Sequence, residues 1–104
     1  MERKINEIRK ELRTRVKFAI TDILELIEKE NGTSVRYEEL PWLHPKQMRI
    51  TVFSNLIRAT TLKGILKIIK QNGLKVESMM IEKLRGEIAL EIIVTLKDGE
   101  KHDE

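Results

Sequence analysis

The side chains of this 104-residue chain best spaced for concerted chemistry are three lysines, Lys63, Lys67 and Lys70, in the stretch TTLKGILKIIKQNG. Steps of four and three residues place them on one side of a helix, because each residue advances by about 100°. Leu62, Ile65, Leu66 and Ile69 fall on the other side, and Gly64 lies beside the lysines, leaving room for a close neighbour. A row of ammonium groups about a dozen ångströms long matches a helix lying along a duplex groove. Lysine neutralises phosphate more readily than it discriminates bases, so the chemistry on offer is backbone contact. The plainer reading is a solvated helix face in a lysine-rich chain.

The surroundings of these lysines favour a polyanion. Leu40 to Val76 contains no Asp or Glu, yet it carries Lys46, Arg49, Arg58, Lys63, Lys67, Lys70 and Lys75. The flanks have the opposite character. Residues 18–30 hold four acids against one base, and beyond Val76 come Glu77, Glu82, Glu87, Glu91, Asp98, Glu100, Asp103 and Glu104. Segregation of this kind can build a basic face on a protein whose net charge is only +3.

Catalytic chemistry finds little support. The absence of cysteine removes disulfides, thiolate nucleophiles and Cys-based zinc sites. His44 and His102 have no partners at metal-ligand spacing. Glu38 and Glu39, being adjacent, diverge on a helix and make no acid–base pair. The five glycines are scattered singly, so no loop cradles a phosphate. We therefore expect no enzyme, no cofactor and no metal. Trp42, between Pro41 and Pro45, reads as a plug at the edge of the core, with a partner anchor as the alternative. The charged N-terminus and the lack of a long apolar run predict a soluble, cytoplasmic protein without a membrane span. Abundant Lys, Glu and Ile resemble the composition of heat-adapted proteins.

The elements that must carry these residues begin with a long helix. Ile5, Ile8, Leu12, Val16, Ala19, Ile23 and Ile27 recur at helical steps, and Ile5, Val16 and Ile27 repeat after eleven residues, which suits a nearly straight packing partner. The stripe is narrow up to Val16 and broad thereafter. Residues 1–17 are expected to project and form a homodimer through Ile5, Ile8, Leu12 and Val16, residues 18–99 to form the single domain, and 100–104 a charged tail. Asn31-Gly32 ends the helix. Thr33 or Ser34 caps a short helix through Leu40, stopped by Pro41 and Pro45. Residues 47–59 are read as helix from the spacing of Val52, Phe53, Leu56 and Ile57, with a strand through Ile50, Val52 and Phe53 as the alternative. LKVESMMIEK and EIALEIIVTL read as a hairpin turning at Leu84-Arg85-Gly86. Ile88, Leu90, Ile92, Val94 and Leu96 share one face of it, and Met79, Ile81, Ala89 and Ile93 the other.

In this order the elements resemble a winged helix-turn-helix domain over roughly residues 20–99. DILELIEKENGTSVRYEEL is similar to its first two helices and TTLKGILKIIKQNGLKVES to its recognition helix running into a wing strand. The resemblance implies an α+β, mainly helical fold with a C-terminal β-hairpin, acting as a small dimeric transcriptional regulator or architectural factor on double-stranded DNA. It places Thr60, Thr61, Lys63, Gly64, Lys67 and Lys70 toward the major groove and Lys83 and Arg85 at the wing tip. Two copies would then set two recognition helices about one duplex turn apart. The rival resemblance starts from a strand at RITVFSN: β-α-β-β, similar to part of an ACT-type or ferredoxin-like module, permuted so that the long helix and TSVRY complete it. It implies a dimeric interaction or ligand-sensing module, with a protein or small molecule as partner. Met48 to Phe53 discriminates the two, as helix or paired strand.

Overall fold

The computed structural model describes residues 2–31, 36–44 and 46–97, with side chains described over 5–29 and 46–97. Helix α1 spans Glu2–Asn31 and contains neither Gly nor Pro, so nothing within it interrupts the backbone hydrogen bonds. It is followed by strands β1 (Arg36–His44) and β2 (Gln47–Ser54), helix α2 (Ala59–Gln71), and strands β3 (Leu74–Leu84) and β4 (Glu87–Leu96). The strands form one sheet in the order β1-β2-β4-β3, with antiparallel neighbours throughout. β2 and β3 therefore run parallel on either side of β4, and α2 is the crossover that joins them, a split β-α-β unit.

The mainly helical, winged-helix expectation is thus overturned: the described residues form an α+β fold with four antiparallel strands and two helices. The segment expected as a short second helix, through Leu40, is strand β1, whose register with β2 runs from Arg36 opposite Phe53 to Leu40 opposite Arg49. Pro41 lies in that strand. An outer strand tolerates proline because one of its edges needs no ladder donor, and the register shifts between Leu40 and His44. The 47–59 segment is a paired strand over Gln47–Ser54 rather than a helix. Its helical spacing is a coincidence of composition: Leu56, counted as part of a helical stripe, lies after the strand and is exposed, whereas β-branched Ile50, Thr51 and Val52 gain ladders on both edges. Pro45, His102 and the 100–104 tail lie outside the described residues, and the side chains of Trp42 and His44 outside the described side chains.

Both helices cover one face of the sheet. Leu12, Val16, Ala19, Ile20, Ile23 and Ile27 of α1 and Ile65 and Ile69 of α2 join Met48, Ile50, Val52, Leu74, Leu90, Ile92 and Val94 in a single core. Each fully buried Ile, Leu or Val stabilises the fold by roughly 1.5–3 kcal/mol relative to exposure. Leu12 and Val16 are completely buried inside the chain, so these two members of the expected dimer seam are consumed by the chain's own core; Ile5 and Ile8 remain half-buried. The sheet underneath extends far enough for α1 to dock earlier along its length than the width of its apolar stripe implies.

One residue of β3 has no opposite number on β4: Val76 pairs with Val94 and Ser78 with Ile93, so Glu77 is an inserted bulge residue. The insertion reverses the alternation of the rest of the strand. Met79 lies opposite Ile92 and Ile81 opposite Leu90, on the helix-covered side, not on the opposite side as uninterrupted alternation predicts.

Candidate functional site

α2 is built as the lysine spacing requires. Thr61, Ile65 and Ile69 are its buried residues, and Lys63, Lys67 and Lys70 are all exposed, as is Thr60. Thr61 points inward and is fully buried, so it does not join an outward face. Gly64 serves α1: a Cβ there would lie 2.7 Å from Leu26 Cδ2, and this missing side chain lets the two helices approach closely. The helices are antiparallel, since Leu26 meets Gly64 while Arg15, earlier in α1, donates from Nη1 to the Asn72 carbonyl at 3.0 Å.

The other sequence-selected cations are dispersed. Arg49 stands on the open side of the sheet, where its Nη1 is 2.8 Å from Glu91 Oε2, and it is not available to act with α2. Lys46 is exposed at the β1–β2 turn. Arg58 precedes α2 and its carbonyl accepts the Leu62 N–H at 2.9 Å. Lys83 and Arg85 are exposed at the β3–β4 hairpin, whose turn residue Gly86 has a φ of 79°. The fold also breaks the acid-free character of the surface. Glu11 and Asp22 share the flank of α1 that carries Arg15 and Leu26 toward α2: Glu11, Arg15, Phe18, Asp22 and Leu26 follow at intervals of four, three, four and four residues.

A second arrangement joins Lys70 and the apolar side of α2 to residues that sequence spacing did not connect with them. Leu66, Ile69, Lys70, Leu74, Lys75, Val76 and Lys97 line a groove of about 490 Å³ between α2 and the start of β3. Ile69 and Leu74 are buried at its floor, Leu66 and Val76 are half-buried, and the three lysines are exposed. No acid lines it. The turn at its end is held firmly. The Asn72 N–H donates to Ile68 O and Ile69 O, the Gly73 N–H to Lys70 O at 3.0 Å, and the Lys97 N–H to Gly73 O at 2.9 Å. The Asn72 side chain adds a bond from Nδ2 to Ile68 O at 2.8 Å. Gly73 has a φ of 75°, the left-handed conformation that lets the chain leave α2 and enter β3 within two residues. These bonds fix the backbone bearing Lys70, Lys75 and Lys97 around an apolar floor. The signal in sequence was the lysine on either side of the Asn-Gly turn, Lys70 and Lys75; Lys97 arrives only through the sheet.

The chemistry available is binding. A cation-rimmed apolar groove accommodates a negatively charged group at its mouth and hydrocarbon or an aromatic ring on its floor, and its volume lies within the range of small-molecule sites. Among the described residues no three His, Asp or Glu side chains come together as a metal site, and no helix is long and apolar enough to cross a membrane. No family model matches the chain, and a search of curated proteins finds no match.

Proposed function

We propose that this protein is a non-enzymatic α+β binding module that holds a small anionic molecule with an apolar portion in the groove between α2 and β3. The observation that carries the reading is the groove itself, with buried Ile69 and Leu74 below and Lys70, Lys75 and Lys97 around it. The paired strand at Met48 to Phe53 supports the same direction, because that strand makes α2 the cover of a sheet. Binding energy on such a site combines a few desolvated apolar contacts with charge attraction. The test is calorimetric titration with alkyl carboxylates and alkyl phosphates of increasing chain length, from acetate and inorganic phosphate to decanoate and decyl phosphate. Saturable binding that tightens with chain length, and that weakens about tenfold or more in Lys70→Ala/Lys97→Ala, is expected. Binding that ignores both chain length and these substitutions would reject the groove.

A second reading rests on a separate observation, the outward exposure of Lys63, Lys67 and Lys70 on a helix without an acid in its first turn. Double-stranded DNA would meet these lysines through its phosphates. Anisotropy titration of a random duplex of about 30 base pairs at several salt concentrations tests it, since each lost phosphate contact lowers the salt slope by about one. A triple Lys63→Ala/Lys67→Ala/Lys70→Ala variant with an unchanged slope would eliminate this reading.

A further inference from the structure

β3 is an outer strand of the sheet, and it is unusual in what it presents. Met79, Met80 and Ile81 are consecutive and 38 %, 58 % and 54 % exposed, so large apolar side chains project on both faces of an unpaired edge. Outer strands are ordinarily kept apart by shortness, proline, charge or a bulge. This one is eleven residues long without proline, and its bulge at Glu77 lies before the apolar triplet, leaving Ser78 to Leu84 in unbroken register with β4.

We propose that β3 pairs antiparallel with β3 of a second copy of this chain, across a two-fold axis at Met80, joining the two sheets edge to edge. The register follows from the sequence of the strand. A two-fold axis at a residue pairs positions that face the same side, so axes at Met79, Met80 and Ile81 are the neighbouring choices. An axis at Met79 opposes Met80 to Ser78 and leaves Ile81 level with the bulge at Glu77. An axis at Ile81 opposes Met79 to Lys83 and Met80 to Glu82. Only the axis at Met80 gives each exposed apolar residue an apolar partner: Met79 faces Ile81 of the second copy, Met80 faces itself, and Ile81 faces Met79 of the second copy. Within the unbroken part of the strand the same register sets Ser78 opposite Glu82 on the open side of the sheet. The bulge at Glu77, where the alternation of sides reverses, limits the ladder to Ser78–Glu82. The self-complementary pattern selects a second copy over an unrelated strand, because each half of the triplet supplies what the other half needs.

The interface is independent of what the groove binds, and its test reads assembly alone. Sedimentation of the full chain over a wide concentration range should show a monomer–dimer equilibrium, and Met80→Lys, which sets two ammonium groups face to face on the axis, should shift it to monomer by tenfold or more in dissociation constant. Met80 is exposed, so an unchanged circular dichroism spectrum and melting profile are expected for that variant. The absence of native cysteine permits a second measurement: Met80→Cys should cross-link to itself on mild oxidation, since directly opposed Cβ atoms lie about 4.5–5.5 Å apart, while Lys83→Cys alone should not. A chain that remains monomeric at the highest concentration reached, a dimer indifferent to Met80→Lys, or equal cross-linking through positions 80 and 83 would each overturn the proposal. Capture of an unrelated strand by a strictly monomeric chain would do so as well.

Discussion

β2 and β3 flank the same strand, face the same helices, and differ sharply in what becomes of their apolar residues. Ile92 of β4 stands between Ile50 and Met79, and Leu90 stands between Val52 and Ile81. Ile50 and Val52 are 0 % and 1 % exposed; Met79 and Ile81 are 38 % and 54 %. The residue types are comparable, the side of the sheet is the same, and the cross-strand partners are shared. What differs is coverage, because the helices close over β2 and β4 and over the first residues of β3, but not over its far half. Apolar side chains on one sheet face therefore divide into core and available surface according to where the helices stop.

The sharpest test of that division is a pair of truncations. Ile50→Ala should cost about 2–5 kcal/mol in denaturant unfolding, whereas Ile81→Ala should stay within about 0.5 kcal/mol in dilute solution. Equal costs would show that the far half of β3 is covered after all. The next largest effect concerns what holds the cover in place. Gly64→Val pushes a branched side chain into Leu26, whose Cδ2 would lie 2.7 Å from the new Cβ, and should cost about 1–3 kcal/mol. Hydrogen exchange in this variant should rise in β4 near Leu90 and Ile92 more than in β3 near Ile81. Gly73→Ala examines the turn that decides where α2 ends and β3 begins. Its φ of 75° penalises a Cβ by about 1–2 kcal/mol, and the melting temperature should fall accordingly. The smallest effect belongs to the open side of the sheet. Arg49 and Glu91 are 29 % and 27 % exposed at the side chain, so a double-mutant cycle should return about 1 kcal/mol or less, diminished by salt. A coupling several times larger would mean that this side is covered in solution.

Much of the local structure was legible. The stripe from Leu12 to Ile27, the split of α2 into lysine and aliphatic sides, the helix end at Asn31 and the hairpin turning at Arg85-Gly86 all follow from period, turn chemistry and charge placement. The misreadings have specific causes. Residues 47–54 carry both periods in their composition, and a ladder on each side decides for strand. Thr61, expected on the outward face with Thr60, stands four residues before Ile65 at helical spacing and goes inward with it. Uninterrupted alternation puts Met79 and Ile81 on the open side, and the inserted Glu77 reverses them. The groove was hidden because Lys97 is distant in sequence from Lys70 and reaches it only by pairing β4 with β3.

By itself the sequence determined the apolar stripes of α1 and α2 and a long stretch of chain free of acid, because helical period and charge are local properties. Only the tertiary structure decided what that acid-free stretch would border. An antiparallel α1 carries Glu11 and Asp22 on the flank facing α2, and the sheet sends Arg49 to the opposite side to pair with Glu91. Charge segregation along a chain becomes a charged face only when folding keeps the other segments away, and here the packing of α1 against Gly64 brings an acidic segment alongside. The same packing fixes how far the helices cover the sheet, which leaves a lysine-rimmed groove at one end of β3 and three exposed apolar residues beyond it.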